Sequence, residues 1–407
     1  KQKVRGNNVN EYKMSKVNTN KSMFNSKIWC LIIYIQYMTL PLKQVSSRFV
    51  ILDFLVVGAG IILSLLVNGV SKKFLKYLLI ILIVYLIDFL LFRNTTSISF
   101  FLIPMIKSSL LMLYCTLSLD KLDDFESVYY KYSLMTLCSV LVYLAIYITT
   151  GISATSHMGI GNVLTFIFIA ILINQYRFNK RLDFVLLLVI IALTLFFANR
   201  MAIISELSCF LFVVNYKKSL NLIVKRVFIL IAAVPCFALL ITNLDKFFML
   251  ISPLIDTNGE MYYSLMKFQR MFTNSDGIFA GLIQSSSGRN LLYDQALLLF
   301  KESSFFPRGI AGFYYQDVSG YIFRYPHNIF LEMLTTFGFL APLVFVMFIA
   351  YSSIRISKMK NQQKILTIVF FIFSITKLLA SSSFWLAPSF GILIGLLGSN
   401  LRESDKV

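Results

Sequence analysis

The sequence predicts an all-α integral membrane protein with about twelve transmembrane helices and one long, partly helical extracytoplasmic loop between spans 9 and 10. Hydrophobic residues make up 57% of the chain, its mean hydropathy is +0.75, and only 14% of its residues are charged. Many apolar runs approach the ~20 residues with which a helix crosses ~30 Å of hydrocarbon. Lipid offers the backbone no hydrogen-bond partners, so these runs must form helices rather than open strands.

The apolar runs divide the chain into spans and connections. The predicted spans are 24–42, 49–69, 74–92, 98–119, 132–150, 158–176, 183–199, 201–216, 226–244, 327–351, 364–380 and 384–400. They separate a basic cytoplasmic tail over 1–23, expected to be disordered, nine spans within 24–244, a loop over 245–326, three spans within 327–400 and a short cytoplasmic tail over 401–407. The loop contains the helix-like stretches "EMYYSLMKFQRMF" and "RNLLYDQALLLFKES", so we expect it to be folded.

The basic residues orient this topology. With the N-terminus in the cytoplasm, twenty-five lysines and arginines fall in cytoplasmic segments and five fall in the short outer loops. The positive-inside rule therefore predicts that both termini are cytoplasmic and that the loop over 245–326 lies outside. The formal charge of +19 sits in short connections between spans, which excludes a nucleic-acid-binding function and favours contact with anionic lipid head groups.

Cysteine and histidine usage argues against a disulfide framework or a metal site. All five cysteines lie within apolar runs and none forms a CxxC pair, so they are interpreted as packing residues. The chain has only two histidines, far apart in sequence, so a protein-built zinc site is not expected.

Six ionisable residues fall inside the predicted spans, all in the outer half. They are Asp53, Asp88, Lys107, Glu206, Glu332 and Lys377. A charge in hydrocarbon costs several kcal/mol, so such residues usually face a cavity or a partner. We expect Lys107, Glu206 and Glu332 to face a polar cavity that opens outward. For the other three, snorkelling to the outer interface is an equal alternative.

Three basic side chains lie at predicted outer helix ends. Arg200 follows "LTLFFAN", and Arg289 begins a helix after "SSSG", where free backbone N–H groups and a guanidinium suit phosphate oxygens. His327 follows Tyr325-Pro326, which places it in the first helical turn. The positive end of that helix favours a neutral ring able to accept a proton from a hydroxyl. An ordinary capped helix with a solvated arginine, and a structural histidine, remain the alternatives.

These residues occur in an order that resembles the O-antigen polymerase and O-antigen ligase superfamily. Its members have about twelve spans, a large late periplasmic loop, an arginine before a loop helix, a P-x-G-x-G-like turn and an H-N-x-x-L motif with a glycine about ten residues later. The matching residues are Arg289, Pro307 to Gly312 with Ala311 blurring the turn, His327 to Leu331, and Gly338. A second arginine of the family matches Arg200, with Asn199 in place of a serine.

The resemblance implies a metal-independent, lipid-linked glycosyltransferase without a cofactor in the bacterial cytoplasmic (inner) membrane, with its active site facing the periplasm or exterior. The donor would be an oligosaccharide on undecaprenyl diphosphate. Arg200 and Arg289 would hold the diphosphate, and His327 would deprotonate or orient the acceptor hydroxyl. Secondary substrate-binding candidates are Glu332, Lys107, Glu206, Arg308 and Asn328. Expected partners are membrane lipid and a polysaccharide chain-length regulator, with no nucleic acid.

Three activities remain open at this point. A repeat-unit polymerase is favoured because the motifs are degenerate and the chain is rich in Phe, Ile, Lys and Asn, as in polymerases encoded within polysaccharide gene clusters. A ligase that transfers the glycan to lipid A–core is the alternative. A flippase of lipid-linked sugar is a weaker one, since repeats and midplane charges are missing from the sequence.

Overall fold

The computed structural model describes residues 2–93, 96–150, 154–197, 199–216, 289–317, 320–399 and 401–402. Its helices are α1 (Gln2–Met38), α2 (Leu40–Val45), α3 (Val50–Asn68), α4 (Lys72–Phe92), α5 (Ile98–Leu117), α6 (Leu122–Thr150), α7 (His157–Phe178), α8 (Arg181–Phe196), α9 (Arg200–Tyr216), α10 (Arg289–Glu302), α11 (Ile329–Phe337), α12 (Ala341–Ser357), α13 (Asn361–Ala380) and α14 (Pro388–Gly398). The short strands β1 (Tyr315–Gln316) and β2 (Ile322–Phe323) pair antiparallel.

The described part of the chain is predominantly helical, as predicted for an all-α membrane protein. Six of its helices, counting α3 together with the turn before it, are long and apolar enough to cross a membrane, and α9, α12 and α14 include shorter apolar helices. The predicted span over 226–244 and the helix-like stretch over 260–272 lie outside the described residues. The total of twelve spans therefore stays a prediction.

Several predicted boundaries differ from the structure, two of them for clear local reasons. Helix α1 begins at Gln2, although the sequence predicted a disordered tail over 1–23; this stretch is polar but holds no proline to stop a helix. The span predicted over 327–351 is divided into α11 and α12 by Gly338, whose φ is +83°. That left-handed conformation is open to glycine and ends α11.

The helices share two ends, which are named here the Arg177 end and the His327 end. At the Arg177 end, Arg177 of α7 pairs with Asp123 and Glu126 of α6. The N–H of Arg402, just after α14, donates to the carbonyl of Asp120, just before α6, so α14 also finishes there. At the opposite end, His327 bonds to the turn between α13 and α14. Helices α7 and α14 therefore both run from the His327 end to the Arg177 end.

The core of the bundle is built around α7 and α1. In the α7 segment 78% of residues are buried, against 11% in α3 and in α4, so α3 and α4 are peripheral. Trp29 of α1 is fully buried and donates to Thr116 Oγ1 at 2.9 Å. Its ring meets those of Phe125 and Tyr129 edge to face at 4.8 and 5.2 Å, an arrangement that aromatic quadrupoles favour.

The described portion of the long loop packs on the His327 end. Leu292, Ala296 and Leu299 recur at helical spacing on α10 and are buried against Phe313 and neighbouring apolar residues of the hairpin and α11. This contact fixes α10 above α11. It thereby brings Arg289, at the start of α10, toward the segment that contains His327.

Candidate functional site

His327 lies immediately before the cap of α11, not in its first turn as the sequence predicted. Asn328 is the N-cap: its Oδ1 accepts from the backbone N–H groups of Phe330 and Leu331 at 3.0 and 3.3 Å. His327 itself has φ +57°, a left-handed conformation that is costly for a residue with a Cβ. Backbone strain of this kind is often held at functional sites by the surrounding contacts.

One hydrogen bond fixes the tautomer of His327. Its Nδ1 lies 2.9 Å from the carbonyl oxygen of Ser381, in the turn after α13. A carbonyl can only accept, so Nδ1 carries the proton and Nε2 keeps its lone pair. The neutral ring held in this way can accept a proton at Nε2.

The end of α13 holds the same segment through a second residue. Asn328 Nδ2 donates to the carbonyl of Leu379 at 3.1 Å, while its Oδ1 caps α11. One side chain thus joins the start of α11 to the end of α13. The predicted role of Asn328 in substrate binding is not what these contacts show, because both ends of its amide are used within the protein.

The surroundings of His327 favour its neutral form. Burial lowers the pKa of His327 below its ordinary value of 6.5, the bond to the Ser381 carbonyl opposes this, and the charge of Arg289 lowers the pKa further. The charge of Arg289 also lowers the pKa of Tyr325, against the larger effect of burial. The Tyr325 and His327 rings are 4.4 Å apart between centroids. Burial raises the pKa of Tyr325, so its hydroxyl stays protonated.

Glu332 is fixed to the same turn. Its side chain is buried, and its Oε1 accepts from Ser383 Oγ at 2.5 Å. Its Oε2 is buried with no hydrogen-bond partner among the described residues. Glu332 also lies near enough to Tyr325 for its charge to act on that hydroxyl. Glu332 and His327 are thus both tied to the turn that contains Ser381 and Ser383.

The glycine-rich turn over 307–312 is held between two helices. The N–H groups of Arg308 and Gly309 donate to the carbonyls of Thr335 and Thr336 at the end of α11, at 2.9 and 3.1 Å. The N–H of Ile310 donates to Asp88 Oδ1 of α4 at 2.5 Å. Three successive backbone N–H groups of the turn are therefore already paired. The turn connects α11 to α4 and does not offer these donors to an anion.

Arg200 begins α9 at the His327 end of the bundle. Asn199 Nδ2 donates to the carbonyl of Met158 at the start of α7, and Thr165 of α7 donates to Glu206 of α9, so α7 and α9 run parallel with a constant offset. Asn199 Oδ1 accepts from the N–H of Ala202 at 3.2 Å, the bond of an N-cap. The described part includes the Arg200 backbone but not its side chain.

One family model matches part of the chain. Residues 198–346 match the family described as O-Antigen ligase, a range that includes Arg200, Arg289, the 307–312 turn and His327. This match supports the O-antigen polymerase and ligase superfamily. The comparison with curated proteins found no match. The match supports a glycosyltransferase of the polymerase or ligase type.

Three further residues predicted for this superfamily site lie elsewhere. Glu206 is buried between helices and its Oε1 accepts from Thr165 and Thr194 at 3.2 and 3.0 Å, which is an interhelical packing contact. Lys107 of α5 is exposed, so its predicted place in a polar cavity stays a prediction. Arg308 donates to the carbonyl of Leu299 at 3.1 Å and pairs with Glu302 at 3.5 Å, so it ties the turn to α10.

Several residues of the site escaped the sequence analysis. Ser381 and Ser383 bind His327 and Glu332, respectively. Both serines lie in "ASSSFW", which the sequence predicted only as the break between the last two spans. Lys377, already named among the ionisable residues inside the predicted spans, lies one helical turn before Ser381 and is buried with no ion pair to any described residue. Arg324, three residues before His327, belongs to no motif in the sequence, so no sequence signal distinguishes it from the other basic residues of the loop. Within the described ranges, no group of three or more metal-ligating side chains is present.

Proposed function

We propose that this protein is a polysaccharide repeat-unit polymerase of the O-antigen type. It would transfer a glycan chain from undecaprenyl diphosphate to a sugar hydroxyl of an incoming lipid-linked repeat unit. The observation that carries the proposal is the hydrogen bond from His327 Nδ1 to the Ser381 carbonyl. It leaves the lone pair of Nε2 available on a neutral imidazole, and the positive charge of Arg289 favours that neutral form.

The proposed reaction uses one base and a positively charged anion site. His327 Nε2 accepts the proton of the acceptor hydroxyl as its oxygen forms the new bond to the anomeric carbon. The bond between that carbon and the diphosphate oxygen breaks at the same centre, and the electron pair leaves on the diphosphate. Arg289 and Arg200 would hold this anion and stabilise the charge that develops on it. The proton then passes from His327 to water.

The same proposal covers metal use and orientation. Two guanidinium groups can take over the charge stabilisation that a divalent metal supplies in other glycosyltransferases, so activity in washed membranes should survive EDTA. Loss of activity that magnesium restores would contradict this. The His327 end would face the exterior side of the inner membrane, with both termini in the cytoplasm and twelve spans in total. A chain-length regulator is a proposed partner on that side.

A ligase is the second candidate, because the matching family model is described as O-Antigen ligase. It would use the same base and the same anion site with a different acceptor, lipid A–core. Deletion of the gene separates the two activities in cells. Loss of a polymerase leaves surface lipid that carries a single repeat unit, whereas loss of a ligase leaves bare core.

The decisive experiment is complementation of a polymerase-null strain. Wild type and the matched control Arg48→Ala, which alters an exposed arginine outside the site, should restore the polysaccharide ladder. His327→Ala, Arg289→Ala and Arg200→Ala should each lose it, since removing a base or an anion-stabilising donor costs about 100-fold or more in rate. Protein levels in the membrane are measured for every variant. Full ladders from all three site variants would end the assignment.

A further inference from the structure

Arg324 is held on aromatic rings beside the proposed site. Its guanidinium carbon lies 4.9 Å from the centre of the Phe100 ring and 5.2 Å from that of Tyr314. Phe100 belongs to the first π-helical segment of α5, and Tyr314 directly precedes β1. Cation–π contact with two rings from separate parts of the chain holds the charged group in place.

The Arg324 guanidinium lacks acceptors within the described part of the chain. Its Nε is buried with no hydrogen-bond partner among the described residues, and none of them forms an ion pair with it. Aromatic faces attract the positive charge but do not replace the acceptors that five N–H donors require. A buried donor left unpaired is costly, so the arrangement is complete only when an acceptor binds.

Arg308 of the same loop shows the opposite arrangement. Its guanidinium donates to the carbonyl of Leu299 and pairs with Glu302. The two arginines lie sixteen positions apart on one loop and differ in their hydrogen bonding. The Arg308 guanidinium has acceptors among the described residues, whereas the Arg324 guanidinium has none there. Substrate binding was predicted at Arg308 on sequence grounds, and the contacts move that prediction to Arg324.

The ligand of Arg324 must be anionic and must approach from the side of the bundle. Phe100 is 47% exposed and Tyr314 is 43% exposed, so the rings that hold the guanidinium are open to the surroundings. Ile103, further along α5, is also exposed. An anion that carries a long apolar chain matches this combination, because its charge meets Arg324 while its chain lies along α5 in the lipid.

We propose that Arg324 binds the diphosphate of the lipid-linked donor as it enters from the membrane, with Phe100 and Tyr314 holding the guanidinium in position. This rests on the proposed function for the identity of the lipid. A guanidinium bonds two phosphate oxygens at once through its planar fork, a geometry that lysine cannot reproduce. Arg324 is thus a third arginine of the anion site, distinct from Arg200 and Arg289, on the side where the lipid chain remains in the bilayer.

The test measures binding of undecaprenyl diphosphate to the purified full-length protein in detergent. Undecaprenol, which has the same chain without phosphate, is the control ligand. Arg324→Gln should weaken undecaprenyl diphosphate binding about tenfold or more and leave undecaprenol binding unchanged. Arg324→Lys should fall between Arg324→Gln and wild type, because it keeps the charge and loses the fork. Arg48→Gln, an exposed arginine elsewhere, should bind as wild type.

Two results would overturn the proposal. Wild-type affinity for undecaprenyl diphosphate in Arg324→Gln would show that the guanidinium does not bind the anion. Equal weakening for undecaprenol would show that the substitution damages the fold rather than an anion contact. Glycan transfer by the wild-type protein is measured in parallel. If the wild-type protein binds the lipid through Arg324 but transfers no glycan, the proposed function is refuted. The proposal that Arg324 binds an anion is still supported by that result.

Discussion

At the level of single residues, the site depends on how His327 is kept neutral. Burial removes water from the ring, and Arg289 adds a positive charge nearby; both lower the pKa of His327. The carbonyl of Ser381 accepts a hydrogen bond from Nδ1–H and so selects the tautomer. The backbone of His327 is left-handed, so it departs from the conformation of α11. With this backbone conformation the ring meets the Ser381 carbonyl.

This electrostatic arrangement predicts how activity depends on pH. Neutral imidazole is the active form, so transfer should rise with pH as His327 loses its proton and level off above a pKa that lies below 6.5. Arg289→Gln removes one of the two causes that lower the pKa. The pKa then rises, and the acidic limb of the rate profile should move to higher pH. Initial rates in membranes, measured against pH for both proteins, give the shift.

Arg289→Lys is the matched control because it keeps the charge. Its acidic limb should stay at the wild-type position even if its overall rate falls. The overall rate of Arg289→Gln should also fall, but the position of the limb is independent of that loss. A limb that does not move in Arg289→Gln, or that moves to lower pH, would contradict the placement of Arg289 beside the imidazole.

At the level of secondary-structure elements, the site is assembled where helix ends meet turns. The turn over 307–312 is pinned to the end of α11 and to Asp88 of α4. Gly309 makes this approach possible. Its φ is +84°, and a Cβ built there would lie 2.5 Å from the Phe92 ring and 2.6 Å from Asp88 Oδ1. The glycine of the superfamily turn is therefore required for both its backbone conformation and its close contact with α4.

Gly309→Ala and Gly320→Ala separate these two requirements. Both glycines have φ +84°, but a Cβ at Gly320 meets only Gln316 Nε2 at 3.8 Å. The left-handed backbone costs an alanine about 1 kcal/mol at either position, and the clash at Gly309 adds roughly 1–3 kcal/mol. Thermal unfolding in detergent should show a clearly larger loss of stability for Gly309→Ala. Equal losses would mean that α4 moves aside freely and does not hold the turn.

At the level of the whole molecule, the sequence is enough to predict most of the helical layout. Hydrophobic runs of membrane length and basic connections are properties of composition along the chain, so the helical class and most boundaries of α3 to α9 follow from them. The motif order likewise indicates the superfamily, and the match over 198–346 supports that prediction. Asn199, which stands where the family pattern has a serine, caps α9 through its Oδ1.

The missing parts of the prediction are contacts between distant segments. Ser381 and Ser383 are ordinary polar residues in sequence, and only the folded chain brings their carbonyl and hydroxyl to His327 and Glu332. The difference between Arg308 and Arg324 is also tertiary, since an acceptor at Leu299 is within reach of Arg308 alone. Charge patterns along a chain cannot reveal which of two arginines the protein itself satisfies.

The orientation of the whole molecule gives the last prediction. If the His327 end faces the exterior, a cysteine at the exposed hairpin position Tyr321 should react with a membrane-impermeant maleimide in intact cells. Lys358 follows α12 at the opposite end, where Arg355 approaches the carbonyl of Leu397. Lys358→Cys should react only after the membrane is opened, and the unmodified chain gives the background of its own cysteines. Labelling of Lys358→Cys but not Tyr321→Cys in intact cells would place the proposed base on the cytoplasmic side, where the flipped lipid-linked donor is absent.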